Sequence, residues 1–237
     1  MESALTVLAA LAATGFTIDL ARSYRTRPRP HAGVWALAMA LYAIATWSLA
    51  IGLAAGWGEV SFKSFYYFGA IANIPLLAAG SVYLNASARF ARRFTIGVGV
   101  FLLLGAVAVL TAPAASVLAD RVPEGSEVFG YSITLGGINL PGPRLFAAVA
   151  GGVGTVTIIG FSVAAIWRTR RSNPNVAAGN LLIVLGTLAP ALGGSLTAIG
   201  EAGGLALSLL IGAVLLWSGY RVATRPQPVS RDPGSPT

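Results

Sequence analysis

Cysteine is absent from the 237-residue chain, and histidine occurs once, at His31. The first absence excludes disulfides, thiolate metal sites and thiol nucleophiles. The second excludes a metal centre built from several histidines. Charge is scarce as well. Only 10% of the residues are charged, against about 25% in a soluble domain, too few to cover an ordinary water-facing surface. Lysine occurs only at Lys63 and glutamine only at Gln227.

What is present is apolar and periodically interrupted. Hydrophobic residues make up 55% of the chain and the mean hydropathy is +0.74. Seven apolar runs cover 3–21, 33–57, 65–86, 95–112, 144–167, 176–198 and 203–220, most of them near the ~20 residues that cross a bilayer as a helix. The reading is an all-α polytopic membrane protein with a seven-helix domain over 1–221. Residues 58–64 are expected as a short polar link, 113–143 as a longer loop, and 222–237 as a disordered cytoplasmic tail. Glu2 stands where a signal peptide would carry positive charge, so the first run is expected to be retained.

The basic residues set an orientation. Arginine clusters follow the first, third, fifth and seventh runs: Arg22 to Arg29, Arg89 to Arg93, Arg168 to Arg171, and Arg221 onward. With the amino terminus outside, 13 of the 16 basic residues fall on the cytoplasmic side, and the reverse orientation would invert that bias. Such clustering is a topology signal and not a nucleic-acid footprint. The same clusters can attract anionic lipid headgroups. Trp57, Phe62, Phe65, Tyr66 and Tyr67 are expected at the outer boundary, and Tyr24, Trp35, Phe90, Phe94, Trp167, Trp217 and Tyr220 at the inner one.

The loop over 113–143 contains an alternating stretch around Gly136-Gly137, which predicts a short hairpin lying across the outer helix ends. The first three and last three runs share a layout. Each set has an Arg-closed helix, an Arg- and Pro-bearing loop, a second helix, an outer link with one acid (Glu59 or Glu201), and a third helix ending near a Tyr. This predicts a 3+1+3 parallel repeat about an axis along the membrane normal.

Polar groups at membrane depth locate candidate sites. Asp19, three residues before Arg22, is expected to pair with it and is a candidate for ion coupling. Pro75 and Pro190 interrupt one helix in each half, and proline frees a carbonyl where a cavity can form. The candidate pocket between the halves is therefore given Tyr42, Trp47, Asn73, Pro75, Asn180, Thr187 and Pro190. Small residues at Gly151/Thr155 and Ala189/Gly193 are expected at close helix contacts. No nucleophile–base pair and no cofactor motif is present, so neither an enzyme nor a cofactor is expected.

The 3+1+3 layout resembles the seven-helix group that includes small sugar carriers and opsins. The last helix lacks the Lys that holds retinal in opsins, and the first and fifth helices lack the Pro-Gln pairs of the carriers. The stretch from Arg27 to Arg89 resembles the seven-helix sensor region of bacterial histidine kinases. It has Tyr42 and Trp47 on its second helix, then Tyr66-Tyr67-Phe68-Gly69, Pro75 and Tyr83 on its third. That resemblance implies a sensor in a bacterial cytoplasmic membrane which, with only a short tail here, signals through a separate protein partner. The Ala-, Gly- and Arg-rich composition is similar to that of actinobacterial membrane proteins. A small-solute carrier and an accessory subunit of a membrane assembly are the alternatives.

Overall fold

The computed structural model describes residues 2–113, 122–197 and 202–225. Asp120, Arg121, Glu201 and the tail from 226 lie outside them. Helices α1 (Glu2–Thr26) and α2 (Pro30–Ala55) are followed by a composite third span. That span comprises α3 (Glu59–Phe65), a π-helical turn (Tyr66–Ala72) and α4 (Asn73–Asn85). Then come α5 (Ala88–Thr111), the single turn α6 (Gly125–Val128), strands β1 (Ser132–Leu135) and β2 (Ile138–Pro141), α7 (Pro143–Thr169), α8 (Pro174–Thr197) and α9 (Ala202–Ala223). Among the described residues, seven helical segments are long and apolar enough to cross a membrane. The chain is all-α and polytopic.

Helix starts follow local chemistry. Proline opens α2, α7 and α8, where its missing N–H costs nothing and its fixed φ suits the first turn. Asn173 Oδ1 accepts from Val176 N at 3.2 Å and caps α8. The expected polar link 58–64 is instead mostly helix, because α3 begins at Glu59. Lys63 Nζ pairs with Glu59 one turn earlier at 2.7 Å and donates to Leu110 O at 3.2 Å. An amphipathic first turn carries little hydropathy, so counting apolar residues misses it.

Six spans close into a ring. In order, α1, α2, the third span, α7, α8 and α9 each pack on the next, and α9 returns to α1. Helix α5 lies outside this ring against the third span and α7, with Leu103, Val107 and Leu110 exposed. The tightest seam joins α8 to α9. A Cβ at Gly179 would stand 2.6 Å from Gly219 O, and one at Gly186 would stand 2.8 Å from Leu216 N. Glycine every seventh residue (Gly179, Gly186, Gly193) forms one stripe on α8, which is the small-residue logic of membrane helix pairs. The expected Gly151/Thr155 contact is not made at Gly151, where a Cβ would meet nothing within 4 Å.

The two ends of the ring differ. The arginine end is tied by Tyr220 Oη donating to Ser23 Oγ at 2.7 Å and by Arg168 Nη2 donating to Asn85 Oδ1 at 2.6 Å. At the other end, Phe129 covers the third span, its ring 5.0 Å from Tyr66 and 5.6 Å from Phe62. The hairpin forms around Gly136 and Gly137, both at positive φ. Its Ile138 and Leu140 are exposed, while Ile133 of β1 packs partly buried against the core, so the cover is the stretch before the hairpin together with its first strand. Trp57, Phe62 and Tyr66, expected at the outer boundary, are buried against one another in this aromatic cluster. Tyr24, Phe90 and Trp167 do remain exposed near the arginine end.

Candidate functional site

A cavity of about 220 Å³ lies inside the ring, walled by α2, the third span, α8 and α9. Tyr42 and Thr46 reach it together because residues four apart share a helical face. The π-helical turn contributes Tyr66, Gly69 and Ala70, and Asn73 follows immediately. Pro75 explains why the helix widens there. It cannot donate to the carbonyl of Ile71, and its ring crowds that carbonyl. Local π geometry is a known response to such a conflict and recurs at functional sites. From the other half, Gly186, Thr187 and Pro190 line the wall, with Leu205 and Leu209 of α9. Pro190 stays within a continuous α8 and packs toward Gly212, where a Cβ would stand 2.9 Å from its Cγ.

The polar inventory of this cavity is small and specific. Tyr42 Oη donates to Leu209 O at 2.8 Å, Thr187 Oγ1 donates to Ile183 O at 2.8 Å, and Thr46 Oγ1 donates to Tyr42 O. Each of these hydroxyls therefore turns only lone pairs to any further partner. Asn73 is different. It is 5% exposed, it stands on the cavity wall, and its buried Oδ1 has no hydrogen-bond partner. A buried amide oxygen left unpaired costs about 1–3 kcal/mol, so this group is the one most improved by a ligand. Among the described residues, no Asp, Glu, Lys, Arg or His lines the cavity.

The sequence-derived candidates divide. Tyr42, Asn73, Thr187 and Pro190 share the cavity. Trp47 does not: it is 38% exposed, and its Nε1 donates to Thr14 Oγ1 at 3.3 Å on the outer side of α1. Five residues of helix turn it about 140° from Tyr42. Pro75 lies two residues from Asn73 and so on another face, lining a separate apolar groove of about 260 Å³ between α4, α5 and α7. Asn180 shares the Thr187 face but lies two turns nearer the arginine end, where its Nδ2 donates to Val176 O at 2.9 Å. Asp19 pairs with Arg221, not with Arg22. Its Oδ2 accepts from Arg221 Nε at 2.9 Å and from Trp217 Nε1 at 2.8 Å. Spacing along one helix had offered only a local partner, whereas ring closure supplies a distant one.

Two further spaces adjoin the cavity. Toward the arginine end, Leu77, Thr187 and Leu216 also border a void of about 10 Å³. Phe16 and Trp35 border that void too. Trp35 Nε1 donates to Leu77 O at 3.0 Å, and its ring meets Tyr220 edge-on, so a layer of aromatics floors the cavity. Toward the other end, Phe65, Tyr66, Ala70 and Leu205 also border a vestibule of about 400 Å³. The vestibule is bounded by residues 122–126, Tyr131 and Arg144. Sequence reasoning missed Tyr66 and Thr46 as cavity residues, although Thr46 could have been found from its four-residue spacing to Tyr42.

Among the described residues, no group of three or more His, Cys, Asp or Glu could hold a metal ion. Comparison with protein-family models, with curated proteins and with solved structures finds no match.

Proposed function

We propose that this chain is a seven-helix membrane binding protein of the sensory kind. It takes a small, mostly apolar ligand into the ring and passes the signal to a separate protein partner. The observation that carries this reading is Asn73, an amide on the wall of an apolar cavity with its Oδ1 unpartnered. The buried part of the ligand is uncharged, because an ion there would lose hydration without a counter-charge, at a cost of several kcal/mol. It carries a hydroxyl or amide N–H to meet Asn73.

The ring order supports a 3+1+3 repeat. Moving three places along it carries the first span to the fifth, the second to the sixth and the third to the seventh. A two-fold axis through the ring requires that mapping, and the fourth span is left outside. The cavity then draws its walls from both halves, as expected of sites at repeat interfaces. The arginine clusters support an outside amino terminus and anionic lipid at the cytoplasmic face.

A thermal-shift screen of purified protein against neutral C4 to C8 alcohols and amides tests the reading. A saturable rise in melting temperature is expected, with Asn73→Ala weakening the apparent affinity by on the order of tenfold. Stabilisation by anionic lipid alone, with no response to any neutral compound, would count against a small-molecule pocket.

A carrier is the second reading, favoured by the asymmetry of the ends. The first and last spans are tied through Asp19, Trp217 and Arg221, while a vestibule adjoins the cavity at the opposite end. One-sided access of that kind is one half of an alternating-access cycle. Counterflow of a bound alcohol in proteoliposomes would favour the carrier, and saturable binding without flux would favour the sensor.

A further inference from the structure

The vestibule carries two opposite charges that do not meet. Arg144 N donates to Gly130 O at 3.3 Å, and its guanidinium lies 4.3 Å from the centre of the Tyr131 ring. Among the described residues no carboxylate is paired with it. Glu124 lines the same space, and its Oε2 accepts from Ser126 Oγ at 2.9 Å. Among the described residues no cation is paired with Glu124. A separated pair of this sort holds a dipolar field across the space it lines. The vestibule shares four wall residues with a cavity that has no charge among its described residues but has an unpartnered amide at depth.

We propose that the vestibule is a head-group subsite for a zwitterion, so that the ligand is a small amphiphile with an α-amino acid-like head and a mostly apolar tail that bears the hydroxyl or amide N–H for Asn73. The inference rests on the ring cavity being a ligand pocket. The carboxylate of the head lies against the Arg144 fork, which matches carboxylate geometry, and the ammonium lies against Glu124. The tail passes Tyr66 and Ala70 into the cavity. A simple anion would meet Glu124 and a simple cation would meet Arg144. Only a head carrying both charges satisfies the two without repulsion.

Four probes of matched chain length separate the possibilities: 2-aminooctanoate, octanoate, octylamine and 1-octanol. Each is titrated calorimetrically at pH 7 into full-length protein in phosphatidylglycerol nanodiscs, with empty discs as the blank. 2-Aminooctanoate is expected to bind tightest, by on the order of tenfold over octanoate and octylamine. Arg144→Gln should remove its advantage over octylamine, and Arg144→Lys should restore part of it. Glu124→Gln, which keeps an acceptor for Ser126, should remove its advantage over octanoate. Neither variant should change the affinity for 1-octanol.

The head-group subsite is overturned, with the pocket intact, if 1-octanol binds as well as 2-aminooctanoate and 1-octanol loses affinity in Asn73→Ala. Binding of none of the four overturns the pocket as well. Loss of 2-aminooctanoate binding when phosphatidylethanolamine is added to the discs would assign the subsite to a lipid head group and overturn the soluble ligand.

Discussion

Asp19 and Trp217 are joined by a 2.8 Å hydrogen bond from the indole Nε1 to carboxylate Oδ2, and this contact fastens the first span to the last. The same oxygen accepts from Arg221 Nε at 2.9 Å. Phe16 stacks on Trp217 with centroids 6.1 Å apart, and Tyr220 donates to Ser23 one turn away. The contacts together close the ring at the arginine end, beneath the aromatic floor of the cavity.

Trp217→Phe is expected to lower the melting temperature more than Arg221→Gln. The indole contact is partly buried, whereas the Arg221 side chain is 62% exposed and its charge pair is weakened by solvent. Asp19→Asn should fall between them, since an amide oxygen still accepts from Trp217. Differential scanning fluorimetry of the three variants gives the order. A larger loss in Arg221→Gln would mean that charge, not the indole bond, holds this end.

Packing at the α8/α9 seam makes a second prediction. Gly186→Ala places a methyl group 2.8 Å from Leu216 N and should destabilise by about 1–3 kcal/mol. Gly151→Ala meets open space and should be neutral or gain up to about 1 kcal/mol of helix propensity. Unfolding of both variants in one detergent measures the contrast.

Ligand binding should discriminate Trp47 from Thr187. Trp47→Phe is expected to leave the affinity for a neutral alcohol unchanged, because Trp47 faces away from the cavity. Thr187→Val removes a hydroxyl from the wall and should weaken affinity by a few-fold. Titration of both variants with the same alcohol is the check. Loss of binding in Trp47→Phe alone would move the site to the outer face of α1 and α2.

These contrasts show what was legible in the sequence. The seven spans were, because hydropathy runs are local and continuous. The inward face of α2 was not. That helix is apolar nearly all round, so nothing in its pattern says that Tyr42 turns inward and Trp47 outward. Asn73 was legible as a polar group beside a proline, and its missing partner became visible only once the ring had closed. The partner of Asp19 lies 202 residues away, a separation that helical spacing cannot report. The seven-residue glycine stripe of α8 stood in the sequence and marked the closest seam.

The outside amino terminus proposed from the arginine count is tested by fusion at the carboxyl end. A green fluorescent protein there should fluoresce and an alkaline phosphatase should be inactive, as expected for a cytoplasmic end. The opposite pair of results would invert the topology.

The most direct test of a ring cavity reachable from the vestibule is single-cysteine labelling, for which the cysteine-free chain is already suited. Ala70→Cys stands where vestibule and cavity meet, and Ser81→Cys stands below the aromatic floor. With a membrane-impermeant thiol reagent applied from the amino-terminal side, Ala70→Cys should react and Ser81→Cys should not. Reaction at Ser81→Cys, or none at Ala70→Cys, would contradict a cavity open at one end and closed at the other.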